Sequence, residues 1–325
     1  MVSHEGSVPM RIFYSVDVHG AETVWRKWIT AINIYECDCL MLCGDLAGKA
    51  LVPIIDYGKG YSKSGYFGRE VKLKTEEEIV DWETKLANGG VYSCRVDKNG
   101  LEDLKKHPEK VDAIMKEAVV GRMRHWLELL VEKIDTAKIM SIVMPGNDDP
   151  LELDEAIKEY ADRNIHYPTD KILKLEGHEL LSHEYVTPTP WDTPRETDEE
   201  GMRKMLDEKI SWLKEDVRNS VWNIHCPPKD TDIDLAPQLG KDLKVASGAG
   251  GVEMVHVGSQ AVRDVIEKHQ PMLGLHGHIH ESSGFTFIGD TVCINPGSEY
   301  GEGLLRGFIV ELSPEKIEKY WKIQG

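Results

Sequence analysis

In the stretch Leu275-His276-Gly277-His278-Ile279-His280-Glu281, three histidines lie within five residues, at the end of an apolar run that begins at Pro271. The run predicts a short buried strand. Two imidazoles in a His-x-His pair leave a strand end in different directions. They can therefore serve two neighbouring metal ions, provided that carboxylates from elsewhere supply negative charge. The stretch predicts one edge of a metal site.

Four further apolar runs are followed directly by metal-ligand side chains. The runs are Met10 to Val16, Leu40 to Cys43, Ile139 to Met144 and Val221 to Ile224, and the side chains after them are Asp17 with His19, Asp45, Asn147 and His225. Ligand groups gather at the carboxyl ends of strands in an α/β sheet. We therefore expect these side chains to lie close to His278 and His280.

Helical patterns alternate with the strands and predict an α/β fold. Apolar spacing indicates helices from Glu22 to Ile34 and from Glu199 to Arg218. Asp149 is expected to cap a helix that starts at Pro150. We interpret residues 1–325 as a single domain with an inserted, lid-like segment at about 53–136. A second segment, Pro227 to Gly258, is expected to border the cleft.

The composition indicates a soluble cytoplasmic protein. Of the 325 residues, 41% are hydrophobic, and no apolar run is long enough to span a membrane. Met1–Gly6 has no secretory pattern, and the six cysteines have no framework spacing. The net charge of −17 argues against nucleic acid as a partner. It does not exclude small anionic substrates, because bound cations would dominate the field inside a cleft.

The ordered motifs Asp-x-His, Gly-Asp, Gly-Asn, His-x-Pro-Pro and Gly-His-x-His resemble those of the calcineurin-like metallophosphoesterase superfamily. The resemblance covers roughly residues 10 to 310, and Gly146–Pro150 (Gly-Asn-Asp-Asp-Pro) is similar to the motif of small prokaryotic predicted phosphoesterases. It implies a two-sheet β-sandwich flanked by helices, with four layers in the order αββα. It also implies a binuclear centre with two divalent metal ions.

Carried over by position, the resemblance assigns four ligands to each metal. Asp17, His19, Asp45 and His280 would hold the first, and Asp45, Asn147, His225 and His278 would hold the second, so that Asp45 bridges the two. The donor set does not choose among Mn, Fe, Zn and Ni. A hydroxide that bridges the metals is then expected to attack phosphorus in line.

The sequence departs from the family pattern at Asp148, where many members carry a catalytic histidine. Either the pKa of Asp148 is raised so that it can act as an acid, or His183, His276 or His256 takes the role, or the leaving group needs little help. The last alternative favours phosphodiesters. For His183 and His276 a structural role is the competing interpretation. Trp191 is expected to pack in the core, with stacking on a substrate base as the alternative.

These observations predict a metal-dependent phosphodiesterase that acts on a small phosphorylated substrate. A phosphomonoesterase or nucleotidase is the enzymatic alternative. A metal-binding scaffold with weak catalysis is the alternative from another class, favoured only by the missing histidine at position 148. Manganese is the natural first metal to test.

Overall fold

The structure is a computed structural model that describes residues 8–240, 243–248 and 251–325. Met1–Gly6 and parts of the 227–258 segment therefore lie outside the described residues. The helices are α1 (Glu22–Tyr35), α2 (Glu76–Asn88), α3 (Lys98–Lys106), α4 (Pro108–Lys133), α5 (Glu152–Lys158), α6 (Glu199–Ile210) and α7 (Gln260–His269). Short 3-10 turns span Ala161–Arg163, Val217–Asn219 and Tyr300–Glu302.

The strands are numbered in chain order. They are β1 (Met10–Ser15), β2 (Cys39–Cys43), β3 (Ala50–Asp56), β4 (Ser62–Tyr66), β5 (Arg69–Leu73), β6 (Val91–Asp97), β7 (Met140–Met144), β8 (Ile165–His166), β9 (Leu173–Leu175), β10 (His178–His183), β11 (Val221–Ile224), β12 (Leu235–Pro237), β13 (Ser247–Gly248), β14 (Gly251–Val252), β15 (Met254–His256), β16 (Leu273–Leu275), β17 (Gly284–Ile288), β18 (Thr291–Asn295), β19 (Arg306–Leu312) and β20 (Ile317–Gln324).

Two six-stranded sheets form the body of the molecule. The first has the order β20-β19-β1-β2-β7-β8, and the second has the order β17-β18-β16-β11-β10-β9. Strands β1, β2, β7 and β8 are parallel in the first sheet. Strands β10, β11, β16 and β18 are parallel in the second. The carboxyl ends of each parallel set therefore lie along one edge of its sheet.

Apolar side chains define the layers. Residues such as Ile12, Met41, Leu180 and Leu275 form a buried cluster shared by the two sheets. On the outer face of the first sheet, α1 and α4 pack their tryptophans Trp25, Trp28 and Trp126 into a second cluster. On the outer face of the second sheet, α6 and α7 form a third. The predicted four-layer αββα sandwich is confirmed.

Helix α6 is shorter than the sequence pattern predicts. The apolar stripe continues to Val217, yet α6 ends at Ile210. Beyond the helix, the carboxylate of Glu179 on β10 accepts hydrogen bonds from the backbone amides of Lys214 (2.9 Å) and Glu215 (3.0 Å). These amides are consequently directed to the Glu179 side chain on β10 and do not continue the helix. The predicted boundary at Arg218 is wrong for this reason.

The segment at about 53–136 contains two differently packed parts. Strands β3 to β6 form a four-stranded sheet in the order β5-β4-β3-β6, with a small core that includes Val52, Ile54, Trp82 and Leu86. The later half of α4 instead packs into the core under the first large sheet. The interpretation of the chain as one domain with a lid-like insertion stays a prediction.

The described residues contain no helix that combines the length and the apolar character required to cross a membrane.

Candidate metal centre

The loops after five strands bring metal-ligand side chains to one place between the sheets. Asp17 with His19, Asp45 and Asn147 follow β1, β2 and β7 of the first sheet; His225 and His278 with His280 follow β11 and β16 of the second. Asp17, His19, Asp45 and His280 offer ligand atoms within 4.8 Å of one another, and so do Asp45, His225 and His278. Asp45 belongs to both groups. The structure thus brings together the side chains that the motifs predict.

Close approaches between lone-pair atoms characterise the centre. Nε2 of His19 lies 3.1 Å from Nε2 of His280. Nε2 of His225 lies 3.2 Å from Oδ1 of Asn147 and 3.6 Å from Oδ1 of Asp45. Burial lowers the pKa of His19 and of His280, which favours neutral rings with lone pairs available for a cation.

An unpartnered buried oxygen shows that this donor set fits cations. Among the described residues, Oδ1 of Asp17 is buried without a hydrogen-bond partner. Burial raises the pKa of Asp17 to about 8, and the neighbouring Asp45 carboxylate adds to the rise. Two carboxylates that are both buried need positive charge nearby, because an uncompensated buried ion is costly. Divalent cations would supply that charge to a mixed imidazole, carboxylate and amide set.

Four of the predicted ligands have a left-handed backbone. The φ angles are 55° for Asp17, 42° for His19, 39° for Asp45 and 67° for His278. This region is unfavourable for residues other than glycine and is found preferentially at functional sites. Local hydrogen bonds hold the conformation: the His19 amide donates to the Asp45 carbonyl (2.9 Å), and the His278 amide donates to Oδ2 of Asp17 (2.9 Å).

Asn147 is oriented by a neighbouring loop. Its Nδ2 donates to Oγ1 of Thr193 (3.0 Å), which leaves Oδ1 facing His225 and the centre. The Thr193 hydroxyl in turn donates to Oε1 of Glu196 (2.6 Å). The amide oxygen, which is the atom able to bind a metal, is therefore directed to the site by hydrogen bonds behind it.

Asp149 does not cap a helix, contrary to the sequence prediction. Helix α5 begins only at Glu152 and has no side-chain cap. The Asp149 carboxylate instead accepts hydrogen bonds from the backbone amides of Leu46 (2.8 Å), Ala47 (2.7 Å) and Gly146 (2.8 Å). Burial raises its pKa to about 6, and these three donors oppose the rise. Asp149 thus joins the loop of Asp45 to the loop of Asn147.

The substitution Asp149→Asn is expected to lower the free energy of unfolding by about 3 kcal/mol. An asparagine amide group would face one of the backbone donors and leave it buried without an acceptor. Urea unfolding of wild type and variant measures the change. Asp162→Asn, at an exposed residue with a loose ion pair to Arg163, is the matched control and should change stability by less than ~0.5 kcal/mol. Equal stability of wild type and Asp149→Asn would contradict the joining role.

Asp148 lies at the mouth of the centre and is paired with a lysine. Its carboxylate contacts Nζ of Lys49 and lies 3.9 Å from Nδ1 of His19. Its amide donates to Oδ1 of Asp45 (2.9 Å). Burial and the Asp45 carboxylate raise the pKa of Asp148 to about 7, while Lys49 opposes this. The direction agrees with the alternative in which Asp148 is tuned to carry a proton.

The other predicted catalytic histidines do not belong to either ligand group among the described residues. Nδ1 of His276 faces the carbonyls of Ile224 (2.8 Å) and Cys226 (3.1 Å), and its ring is buried in the second sheet. His183 is buried against Tyr185, with ring centroids 5.8 Å apart. Neither histidine is among the described residues that line the cleft. A catalytic role for either stays a prediction.

His256 contacts a carboxylate that does not belong to the ligand groups. It lies on β15, and its Nδ1 is 2.8 Å from Oδ1 of Asp234. That carboxylate also accepts from the amides of Thr231 and Gly258, so the group organises the segment between β11 and α7. The contacts of His256 favour a structural role.

A cleft of about 570 Å³ opens over the metal-ligand groups. His19, Asp45, Asn147, Asp148, His278 and His280 line one end, together with Lys49 and Tyr300. The loop around Trp191 and the 227–258 segment also line the cleft, the latter as the sequence predicts. Trp191 is 58% exposed, so the expectation that it packs in the core is wrong.

Lys49 and Tyr300 are the site residues that the motif analysis misses. Lys49 follows Asp45 by four residues, and Tyr300 follows the Asn295–Ser298 turn. The Tyr300 ring centroid lies 4.6 Å from that of His19 and 5.9 Å from that of His280. A basic residue close after a ligand loop is the only signal for Lys49. Tyr300 has no sequence signal of its own.

Known proteins resemble this chain only weakly at the level of sequence. No protein-family model matches the chain. The chain is 29% identical over 173 residues to the uncharacterised protein MJ1162 of Methanocaldococcus jannaschii, which covers 52% of this chain and 68% of that protein.

Two solved structures resemble the chain over nearly its whole length. One crystal structure is 17% identical, with a TM-score of 0.56 and coverage of 97% of this chain and 99% of its own. The other is TT1561 of Thermus thermophilus, 13% identical, with a TM-score of 0.50 and coverage of 98% and 99%. At these identities the likeness concerns the fold alone, which is the four-layer αββα sandwich described above.

Proposed function

We propose that the protein is a metal-dependent phosphoester hydrolase with two divalent cations held around Asp45. One observation carries the proposal: two groups of buried or half-buried ligand residues, one largely from each sheet, share the Asp45 carboxylate. A structural metal site would not need an open cleft of about 570 Å³ above it. Catalytic sites keep a position open to water or substrate.

The chain supplies the ligands, the orientation and the charge of the site. Asp17, His19, Asp45 and His280 would hold one cation, and Asp45, Asn147, His225 and His278 the other. When bound, two such cations activate water and neutralise charge on the phosphoryl group. Lys49, at the rim of the same end, is positioned to pair with a phosphoryl oxygen that faces away from the ligand groups.

A phosphodiester is the better substrate for this site. A diester carries one negative charge near neutral pH, whereas a monoester carries nearly two. The carboxylate of Asp148 occupies the rim, where the family pattern has a histidine, and already takes up Lys49 as its partner. Because the Lys49 ammonium is shared with Asp148, less of its charge is available for the second negative charge of a monoester. The phosphomonoesterase and nucleotidase activity remains the alternative outcome of the test.

Hydrolysis of bis-p-nitrophenyl phosphate, compared with p-nitrophenyl phosphate, tests the proposal in the presence of Mn²⁺. We expect a kcat/KM for the diester that is about tenfold or more above that for the monoester, a difference of about 1.4 kcal/mol in transition-state stabilisation. Both reactions should stop after chelation and resume when Mn²⁺ is restored. The two esters share a leaving group, so their ratio reports the effect of substrate charge and shape.

Two results would contradict the proposal in different ways. A preference for the monoester would assign the protein to the phosphatase alternative. Stoichiometric metal binding without turnover of either ester would favour the scaffold alternative. Metal content, measured by elemental analysis of the same sample, separates a protein that lost its cations from one that has no activity.

A further inference from the structure

We propose that the natural substrate is an amphiphilic phosphoester, in which an alkyl or aryl substituent packs against the apolar wall of the cleft. The proposal rests on the proposed function, because it places the phosphoryl group at the metal-ligand end. It adds the chemical class of the substituent that packs against the apolar wall.

The wall presents apolar side chains to the cleft from two segments. One is the loop that carries Trp191; the other is the segment between β11 and α7. The apolar residues that line it include Pro188, Pro190, Trp191, Leu239, Val245 and Val257. Trp191 is 58% exposed, Val245 48% and Val257 39%. Exposed apolar groups gathered in one concave surface mark a binding site for an apolar partner.

The side chains of Thr189, Thr193 and Glu196 in the Trp191 loop are engaged with one another. Glu196 accepts hydrogen bonds from the amide (3.0 Å) and hydroxyl (2.6 Å) of Thr189, and from the amide (2.9 Å) and hydroxyl (2.6 Å) of Thr193. A nucleobase needs several free donors and acceptors to be recognised on its edges. The wall therefore favours an apolar substituent over a nucleoside.

The loop that carries Trp191 is fixed to the metal-ligand end. Thr193 accepts from Asn147, and the Arg195 amide donates to the Asn147 carbonyl (3.3 Å). The buried Arg195 guanidinium also donates to the carbonyls of Asp149 and Pro150 (3.2 Å each). The apolar wall is thus held at a set distance from the ligand groups, and little order must be imposed when a substrate binds.

Lys49 lies between the metal-ligand end of the cleft and its apolar wall. Its Nζ contacts the Asp148 carboxylate and lies 5.9 Å from the centroid of the Trp191 ring. An anionic head beside Lys49 would place a directly attached substituent over Trp191 and the valines behind it. A molecule that has an anionic head and an attached apolar group would match this arrangement of charge and apolar surface.

Binding of simple phosphonates tests the proposal without requiring turnover. Mn²⁺-loaded protein is titrated calorimetrically with methylphosphonate, phenylphosphonate, octylphosphonate and thymidine 5′-monophosphate, the alkyl chain being kept below its micelle concentration. We expect phenyl- or octylphosphonate to bind about tenfold or more tightly than methylphosphonate, because additional apolar surface is buried. The tighter of the two distinguishes an aryl from an alkyl substituent. Equal affinities for all three phosphonates, or tightest binding of the nucleotide, would overturn the proposal.

The substitution Trp191→Ala locates the effect. It should reduce the ratio of octyl- to methylphosphonate affinity by about threefold or more, since the largest apolar side chain of the wall is removed. Trp321→Ala is the matched control, because Trp321 is also exposed (38%) but lies on β20, away from the cleft. An unchanged ratio in Trp191→Ala would overturn the assigned position of the apolar group.

The two proposals fail in distinguishable ways. A retained preference for apolar phosphonates without any ester hydrolysis would contradict the proposed function and leave the binding class intact. Metal-dependent hydrolysis together with equal phosphonate affinities would contradict the binding class alone.

Discussion

Replacement of Asp45 by asparagine is expected to reduce metal-dependent diester hydrolysis by about 10³-fold or more. Asp45 is the only carboxylate shared by the two ligand groups among the described residues. An asparagine offers one neutral oxygen and cannot bridge two cations. Values of kcat/KM for bis-p-nitrophenyl phosphate in Mn²⁺ give the loss, and elemental analysis should show less than two metals per chain.

The conservative change keeps the shape of the side chain, so that loss of folding is not the expected cause. Oδ1 of Asp45 also accepts from the Asp148 amide, and an asparagine oxygen can retain that bond. Circular dichroism checks the fold, and Asp162→Asn again serves as the exposed control. A variant with two bound metals and wild-type turnover would refute the bridging role of Asp45.

Gly146→Ala is expected to lower kcat/KM by about 10²-fold or more, through displacement of the ligand loops. A Cβ atom at this position would lie 2.3 Å from Oδ1 and from the amide nitrogen of Asp45, and 2.8 Å from Nε2 of His225. Contacts this short force the backbone or the ligands to move. Overpacking of this kind should also lower the free energy of unfolding by about 1–3 kcal/mol, measured in urea.

Gly121→Ala is the matched control for that substitution. Gly121 lies in α4, and a Cβ atom there would meet no heavy atom within 4 Å. Activity should be unchanged, and alanine should stabilise the helix by about 0.5–1 kcal/mol. If Gly146→Ala kept wild-type activity and metal content, the tight approach of the Asp45 and Asn147 loops would not be required for function.

The layers of the fold and the convergence of the ligand-type residues could be predicted from sequence because both depend on strand ends. An apolar run followed by Asp17, Asp45 or His225 gives the strand and the direction in which its ligand leaves. Parallel pairing then brings the ends together. Asp149 shows the limit of this reasoning: the local Asp-Pro pattern favours a helix cap, but amides at Leu46 and Ala47 compete for the same carboxylate.

The part of the cleft wall that carries Trp191 could not be predicted because long-range contacts determine it. Trp191 lies in a loop of threonines and prolines without periodicity, and the hydrogen bonds of Glu196 and Arg195 help to hold that loop in place. Strands β3 to β6 are likewise hard to recognise, since Gly, Tyr, Ser and Lys in this segment are typical of an exposed loop. Their pairing depends on β3 meeting β6 across a helix.

The hydrogen bond from Asn147 to Thr193 has a consequence for how this protein can change. One end of that bond belongs to a metal ligand, and the other belongs to the loop that forms part of the cleft wall. A substitution that displaces this loop is therefore expected to change substrate selectivity and metal affinity together. A library that randomises residues 187–196 to find new substrates would lose many variants to weakened metal binding. Retaining Thr193 and Arg195 while varying Pro188, Pro190 and Trp191 would separate the two traits.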